Sequence, residues 1–362
     1  MDMLHIVKRY LCTALVAALP LLFAACGEGM FDYEADCIVT HQMRFRYEMN
    51  LKWADAFPAE VHSVNLYAFD RNGRFVKAFA EHGEALAQPG YAMDLDLPVG
   101  DYKFVAWCGL VNEGAAAESF TVPQPVAGVT TLEELTCALN TASSQARAAA
   151  TSESRLYFLY HGYSEETLVD HHDGTHYEYT MYLTKDTNHI RIILQELSDY
   201  YEEMKPGDYA FRIESANGLM GYDNALLGDE VVTYRPWSQV SDQVGVGKVD
   251  VTNGSLTYVK GVVADLSTCR MMAAQQDEMM LTIVDNTTPD QTVIARVPII
   301  QYALLSRSYY EMAYGHTMTD QEFLDREDEY VFTFFLYKNR WLDSFIDIHS
   351  WRIVLHDYDV GS

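Results

Sequence analysis

Residues 61–76 read VHSVNLYAFDRNGRFV, and this stretch sets the fold class. Apolar and polar positions alternate through residues 61–69, the period of a strand with one buried face. Asp70-Arg-Asn-Gly73 then stops the run with an Asn-Gly turn signal. The alternation resumes at residues 74–79, so the segment predicts a β-hairpin.

The same pattern continues on both sides. Upstream, residues 43–47 (MRFRY) alternate. Downstream, residues 93–97 (MDLDL) have strict period two, and Pro98-Val-Gly100 turns the chain into the apolar run 101–110 (DYKFVAWCGL). Residues 155–160 and 177–183 are expected as further strands. Residues 131–149 are ambiguous. Thr131 with Glu134 forms a capping-box pattern and the segment is Ala-rich, yet Leu135, Cys137 and Leu139 alternate; the expectation is a short strand followed by a loop. Further strands are expected at 230–234, 256–263, 278–284, 293–297, 299–305 and 332–337, with a last one at 346–355. Residues 309–324 are polar and expected to be helical.

An internal echo organises this series. Residues 44–47, a spacer and VNLYAFDRNG ending at Gly73 are matched by residues 190–197 (IRIILQEL), a spacer and YAFRIESANG ending at Gly218. The two units are nearly equal in length, as expected for two copies of one sandwich. The expected organisation is all-β: two tandem β-sandwich domains at residues 37–185 and 186–362, with the boundary at the Lys185-Asp-Thr-Asn188 run.

The N-terminus carries a different signal. Lys8 and Arg9 precede an almost wholly apolar run at 11–25, too short to span a bilayer comfortably and interrupted by Pro20. Ala24-Ala25-Cys26 comes next. Small residues before a Cys resemble a bacterial lipobox, with cleavage after Ala25 and lipid on Cys26; ordinary secretory cleavage is the competing reading. Phe23 stands where such a motif usually has Leu, which sits at Leu22. Residues 1–25 are thus read as a lipoprotein signal peptide and 26–36 as a lipidated, acidic tether. Each buried CH₂ contributes about 0.8 kcal/mol, so several acyl chains on one Cys hold firmly. No other stretch is long and apolar enough to span, so the chain is expected to be anchored to a membrane without crossing it.

The chain has 52 acidic against 25 basic residues, a formal net charge of -27. Removing residues 1–26 takes away one acid and two bases and leaves about -28. So acidic a surface repels phosphate backbones and argues against a nucleic-acid partner. Beyond Cys12 and Cys26, four cysteines remain: Cys37, Cys108, Cys137 and Cys269. An exported chain permits one or two disulfides among them, and buried free thiols are equally open. No CxxC spacing supports a zinc site.

Two candidate chemistries arise along the chain. His171, His172 and His176 with Asp170 and Asp173 could bind a metal, but Gly174 between two strands reads as a hairpin loop. Asp325-Arg-Glu-Asp-Glu329 offers oxygens for calcium, yet lacks the spacing of an EF-hand loop and reads as a charged turn before a buried strand. Nucleophile, H-E-x-x-H and phosphate-loop motifs are absent, so no catalytic residue, metal or cofactor is assigned and an enzyme is not expected.

Residues 44–47, Ala54-Asp55-Ala56-Phe57, Glu60-Val61, NLYAFDRNGRFV, LPVGDYKFVAWCGL, LTKDTNHIRIILQEL, GYDNALL, VVTYRPW, QEFLDREDEYVFTFFL and IHSWRIVL together resemble the fimbrillin-associated anchor subunits of Bacteroidota-type fimbriae, the FimB-like minor-fimbria anchor family. The resemblance implies a pair of transthyretin-like sandwiches, a surface-exposed outer-membrane lipoprotein, and fimbrillin subunits of the same fimbria as partners. It implies no catalysis. Fimbrillins of this class polymerise by strand donation, a form of β-augmentation; an anchor should keep its N-terminal strand because its lipid is attached there. The alternative is a surface adhesin or carbohydrate-binding lipoprotein without a fimbrial partner, which exposed aromatic clusters in a groove would favour.

Overall fold

The computed structural model describes residues 39–111, 118–141, 150–170, 175–197, 204–228, 230–249, 256–348 and 351–355. The first half carries β1 (Thr40–Arg46), α1 (Phe57–Glu60), β2 (Ser63–Asp70), β3 (Phe75–His82), β4 (Ala92–Asp94), β5 (Gly100–Cys108), β6 (Phe120–Thr121), β7 (Thr136–Leu139), β8 (Ala150–Ser152), β9 (Tyr160–Leu168), β10 (His176–Tyr182) and β11 (Thr184–Lys185). The sheet β10-β1-β4 packs over the sheet β11-β9-β5-β2-β3. Alternation decides which side chains meet between them. Met43 and Phe45 of β1 face Val64, Leu66 and Ala68 of β2 and Phe104 and Ala106 of β5, and all are buried.

The intervening positions of β2 and β5, Tyr67, Phe69, Val105 and Trp107, point to the opposite face and are buried there as well. Phe120, Leu132, Leu135, Cys137 and Leu139 cover them. Each large side chain so buried contributes about 1.5–3 kcal/mol.

The second half carries β12 (Thr187–Glu196), β13 (Tyr209–Ser215), β14 (Leu219–Gly221), β15 (Val232–Tyr234), β16 (Ser238–Val249), β17 (Leu256–Cys269), β18 (Met280–Asp285), β19 (Thr292–Pro298), α2 (Ile299–Leu304), α3 (Arg307–Tyr314), α4 (Asp320–Arg326), β20 (Glu329–Leu336), β21 (Trp341–Ile348) and β22 (Trp351–Leu355). Sheet β16-β17-β12-β20-β21-β22 packs on sheet β19-β18-β13-β15-β8. The expected all-β sandwich fold is therefore present. The opening strand of each half has the same surroundings: β1 pairs antiparallel with β4 and parallel with β10, and β12 pairs antiparallel with β17 and parallel with β20. The chain leaves the first sandwich at Lys185 and enters the second at Thr187, changing sheet at Asp186.

The halves also share strands. β8 pairs with β15, and β7 pairs with β14 while β6 pairs with β7. The segment around residues 119–152 thus completes sheets of the second half while its apolar side chains cover the first.

Several local expectations are corrected. Residues 299–304 form a helix, not a strand; a short continuous apolar run fits either, and here Ile299, Ile300 and Ala303 bury one helical face. Residues 156–159 are not strand, and β9 begins only at Tyr160. The final run is two antiparallel strands, β21 and β22, rather than one. Strand β16 carried no clear signal because glycine and polar residues dominate it. At 131–139 the capping box is real but closes only a 3-10 turn, Leu132–Glu134, before the short strand β7; residues 142–149 lie outside the described residues. Asp70 to Gly73 does turn a hairpin: Asp70 Oδ1 accepts from the Asn72 and Arg74 amides, and Gly73 has φ 73°. Its echo does not. Asn217 is buried and bonds the Cys269 and Arg270 carbonyls, and the chain passes on into β14 of another sheet.

Candidate functional site

Ala25, Cys26 and the tether lie outside the described residues, as do His171, His172 and Asp173. Beyond the tether, β1 starts at Thr40, level with His176, and is the middle strand of its sheet. It is also held by polar pairs: Thr40 Oγ1 lies 2.6 Å from His176 Nδ1, Gln42 donates to Asp94 at 2.6 Å, and Arg44 pairs with Glu178 at 2.8 Å. His176 is therefore a strand residue. Among the described residues no group of three or more His, Cys, Asp or Glu converges to hold a metal.

The two sandwiches meet at a polar junction. Lys185 has a buried side chain, with its ammonium 2.7 Å from Glu60 Oε2 and 2.5 Å from Asp328 Oδ2. Phe158, Tyr47 and Tyr160 surround it at 4.2, 5.3 and 5.5 Å from ring centre to Nζ. A cation taken out of water this far needs two anions and aromatic faces to compensate its desolvation. Next to it, Arg326 donates to the Glu48 and Asn50 carbonyls and stacks on Trp53. Arg270 holds Asp325 through two nitrogens and lies 3.7 Å from Asp186.

Every member of the Asp325–Asp328 run is thus engaged in the fold, with Glu327 accepting from the Tyr310 hydroxyl at 2.7 Å. Of the expected charged turn at Asp325–Glu329 only residues 327–328 lie between elements, because Asp325 and Arg326 end α4 and Glu329 opens β20; Asp325, Glu327 and Asp328 are each held by a partner. α4 delivers it: Thr319 caps the helix by accepting from the Glu322 amide, and the chain leaves α4 at Glu327 directly into β20. Sequence reasoning singled out this run and the Lys185–Asn188 run separately and missed that they pair. Beside them lies a cleft of about 330 Å³ lined by residues including Asn50, Lys52, Phe158, Asp328 and Glu329.

Burial sets the electrostatics. Asp186 is pushed up to about 7 by desolvation, against the pull of Arg270 and of the Asn224 side chain. Burial pushes Glu327 up to about 7, against its hydrogen bond from Tyr310. Burial lowers His161 to about 4; its Nε2 donates to the Tyr222 carbonyl, so the imidazole is neutral near pH 7 and its proton is committed. Cys108, Cys137 and Cys269 are free and buried, and burial raises all three thiols; Cys37 lies outside the described residues. The arrangement joins two bodies and holds no assembled nucleophile and base among the described residues.

The two sandwiches point away from this junction. β1 runs from Thr40 toward Glu48 and Asn50, whose carbonyls accept from Arg326, so Thr40 lies at the end of β1 remote from the junction. β12 starts at the junction and runs outward to Glu196. β20 is parallel to it, and β22, antiparallel to β21, runs outward again. Among the described residues no helix is long and apolar enough to cross a membrane.

The described residues thus form tandem β-sandwiches whose first described strand, β1, is paired on both edges. The chain belongs to the family of fimbrillin-A associated anchor proteins Mfa1 and Mfa2, whose family model matches residues 33–357. This is a family of structural anchor proteins, associated with fimbriae at the cell surface. Among solved structures, a candidate adhesin of Bacteroides thetaiotaomicron is 31% identical, with a TM-score of 0.71 over 86% of this chain and 96% of the other. A candidate polysaccharide-binding protein of the same species is 26% identical, with a TM-score of 0.70 over 88% of this chain and 99% of the other. The fimbrial anchor protein Mfa2 of Porphyromonas gingivalis shares the fold at 18% identity, with a TM-score of 0.60 over 88% of this chain and 99% of the other. No curated protein sequence matches the chain.

Proposed function

We propose that the chain is the lipid-anchored base of a fimbria, held in the outer membrane at the cell surface by acyl chains on Cys26 after cleavage behind Ala25. It receives a fimbrillin subunit through a β-strand-mediated contact. Residues 27–36 serve as tether, and residues 37–185 and 186–362 as the two sandwich domains. The observation that carries the reading is the position of β1. It is the first described strand, it is paired on both edges, and Met43 and Phe45 are buried. Pull on the lipid is then borne by a central strand rather than by a peelable edge.

Labelling with a fatty-acid analogue tests the lipid, and fractionation tests the role. Wild type is expected to be labelled and Cys26→Ser not, with fimbriae shed into the medium in the variant. Equal labelling of both, or filaments that stay cell-bound, sinks the reading.

The junction cleft supports a second reading, that of a carbohydrate-binding adhesin. Phe158 is partly exposed at a groove rich in polar groups, the makeup of a sugar site. Glycan-array binding by the mature protein that Phe158→Ala abolishes would support it; no binding to any glycan would remove it.

A further inference from the structure

Resting on the anchor reading, we infer that the fimbrial subunit seats on the outer end of the second sandwich, over an apolar platform made by Leu197, Tyr337 and Leu342. This end, like Thr40 at the start of β1, lies away from the junction. β12 ends there at Glu196, β20 ends there at Leu336, and β21 begins there at Trp341. A ten-residue strand spans about 33 Å, so the second sandwich alone sets this surface well away from the junction.

The platform is both exposed and rigid. Leu197, Tyr337 and Leu342 are 47, 49 and 55% exposed. They belong to neighbouring backbone positions, because the Leu197 amide donates to the Leu336 carbonyl and Leu336 pairs with Trp341. The register shift between Phe335 and Leu336 leaves Leu342 as the extra residue of a bulge, a device that re-aims a side chain. Tyr337 and Arg340 exchange backbone hydrogen bonds across Lys338 and Asn339, which have φ 52° and 58°, the left-handed pair of a two-residue hairpin turn. Glu196 accepts from both the Lys338 and Asn339 amides, at 2.9 and 2.8 Å, which fixes the turn against β12. Exposed large apolar side chains at adjoining backbone positions mark a contact surface more readily than scattered ones do.

The chemistry around the platform identifies the occupant. Lys338, Arg340 and Lys205 are exposed at this end of a chain that has only 25 basic residues against 52 acidic ones. A partner with an apolar patch and an acidic rim complements it, whereas a second copy of this chain would bring its own platform and like charge to the same place. The backbone supplies a further element. β17 pairs with β12 only as far as Gly261, yet β16 and β17 stay paired out to Val249 and Leu256, so a two-stranded arm extends beyond the sheet at this end. A strand-sharing filament subunit thus meets an apolar floor, a basic rim and a two-stranded arm.

The test is a triple variant, Leu197→Glu, Tyr337→Glu and Leu342→Glu, made in the full-length, membrane-bound protein. All three side chains are exposed, and an unchanged thermal melt of the soluble Cys26→Ser form checks the fold. The triple variant is expected to stay with the membrane fraction while releasing most fimbriae into the medium. Its soluble form should lose at least tenfold in affinity for fimbriae sheared from the same cells. Val99→Glu, an exposed apolar position in the first half, should change neither. If filaments stay bound in the triple variant but are shed by Cys26→Ser, the seat lies elsewhere and the anchor reading stands. If both strains keep their filaments, the anchor reading falls and this inference with it.

Discussion

The guanidinium of Arg326 lies 3.6 Å from the ring centre of Trp53, and the two residues belong to different sandwiches. Trp53 holds a left-handed backbone, φ 53°, rare for a bulky side chain and maintained only where the surroundings enforce it. Here they do: Asn50 donates to the Ala54 carbonyl, Arg326 donates to the carbonyls of Glu48 and Asn50, and the His316 ring lies tilted against the indole, 4.4 Å between ring centres. Arg326→Ala removes the stack and leaves the Asn50 carbonyl short of a donor. It should cost about 2–4 kcal/mol in urea unfolding, from charged hydrogen bonds and the cation–π contact together. Arg326→Lys should recover only part, since a point charge cannot serve two carbonyls and a ring at once. A loss below about 1 kcal/mol would show the contact to be incidental.

The Lys185 site predicts an asymmetry between a single and a triple variant. Lys185→Ala strands Glu60 and Asp328 around a vacated position and should cost about 3–5 kcal/mol. Adding Asp328→Asn and Glu60→Gln to it should restore stability, because the uncompensated anions are gone. Chemical denaturation of the single and triple variants reads this directly; additive losses would contradict it.

Little of this junction was legible in the sequence, while much of the frame was. β2, the Asp70–Gly73 turn and β3 are visible because their signals are local: period two, a turn residue, period two again. The junction partners are far apart along the chain. Lys185 is 125 residues from Glu60 and 143 from Asp328, and Arg326 is 278 from Glu48. A charged run such as 325–328 reads as solvated until its partners are known. Continuous apolar runs fail differently: 299–304 is equally compatible with strand and helix, and tertiary packing chose helix. The second Asn-Gly, at 217–218, shows the limit of a turn signal, since burial of Asn217 among carbonyls overrides it.

Asp186 gives the chain a defined pH dependence. It is wholly buried, and its folded-state value near 7 is raised above that of an unfolded carboxylate. The folded state therefore binds more protons than the unfolded state between about pH 4 and 7, and the group's contribution to stability is lost as pH rises through that window. Asp186→Asn keeps the shape and removes the titration. The stability of wild type relative to Asp186→Asn should fall from pH 5 to pH 8, measured by urea titration at each pH. A rise over the same range would contradict the burial argument.

Gly109 has φ 90°, and a Cβ there would lie 1.9 Å from the Phe158 carbonyl oxygen. Backbone cannot yield as a side-chain tip can, so Gly109→Ala should destabilise by roughly 3 kcal/mol or more. The comparison that checks it is Gly128→Ala. Gly128 also has positive φ, 72°, but a Cβ there meets nothing within 4 Å, so that variant should lose only about 1 kcal/mol from backbone strain. Equal losses would mean that φ, and not the approach to Phe158, sets the cost.

The last expectation concerns how the two halves unfold. Two sandwich domains joined by a short connection usually melt separately, with a boundary in an exposed linker. This chain has no such linker at the boundary: Asp186 is wholly buried between β11 and β12. The halves exchange strands as well as contacts. β8, from the first half, adds to the sheet of β15; β7 pairs with β14; and one continuous apolar core contains Trp107 and Leu135 together with Ile192 and Phe211. Expressed alone, residues 186–362 would leave β14 and β15 without those partners, and residues 37–185 would expose the strands that seek them. The mature protein should therefore show one calorimetric transition, with calorimetric and van't Hoff enthalpies equal. Each isolated half should be insoluble or partly unfolded. The two halves co-expressed as separate chains should assemble into a soluble complex, because the shared strands and core need no covalent link to form. Two well-separated transitions, or independent folding of either half, would show the shared core to be a mere contact between autonomous domains.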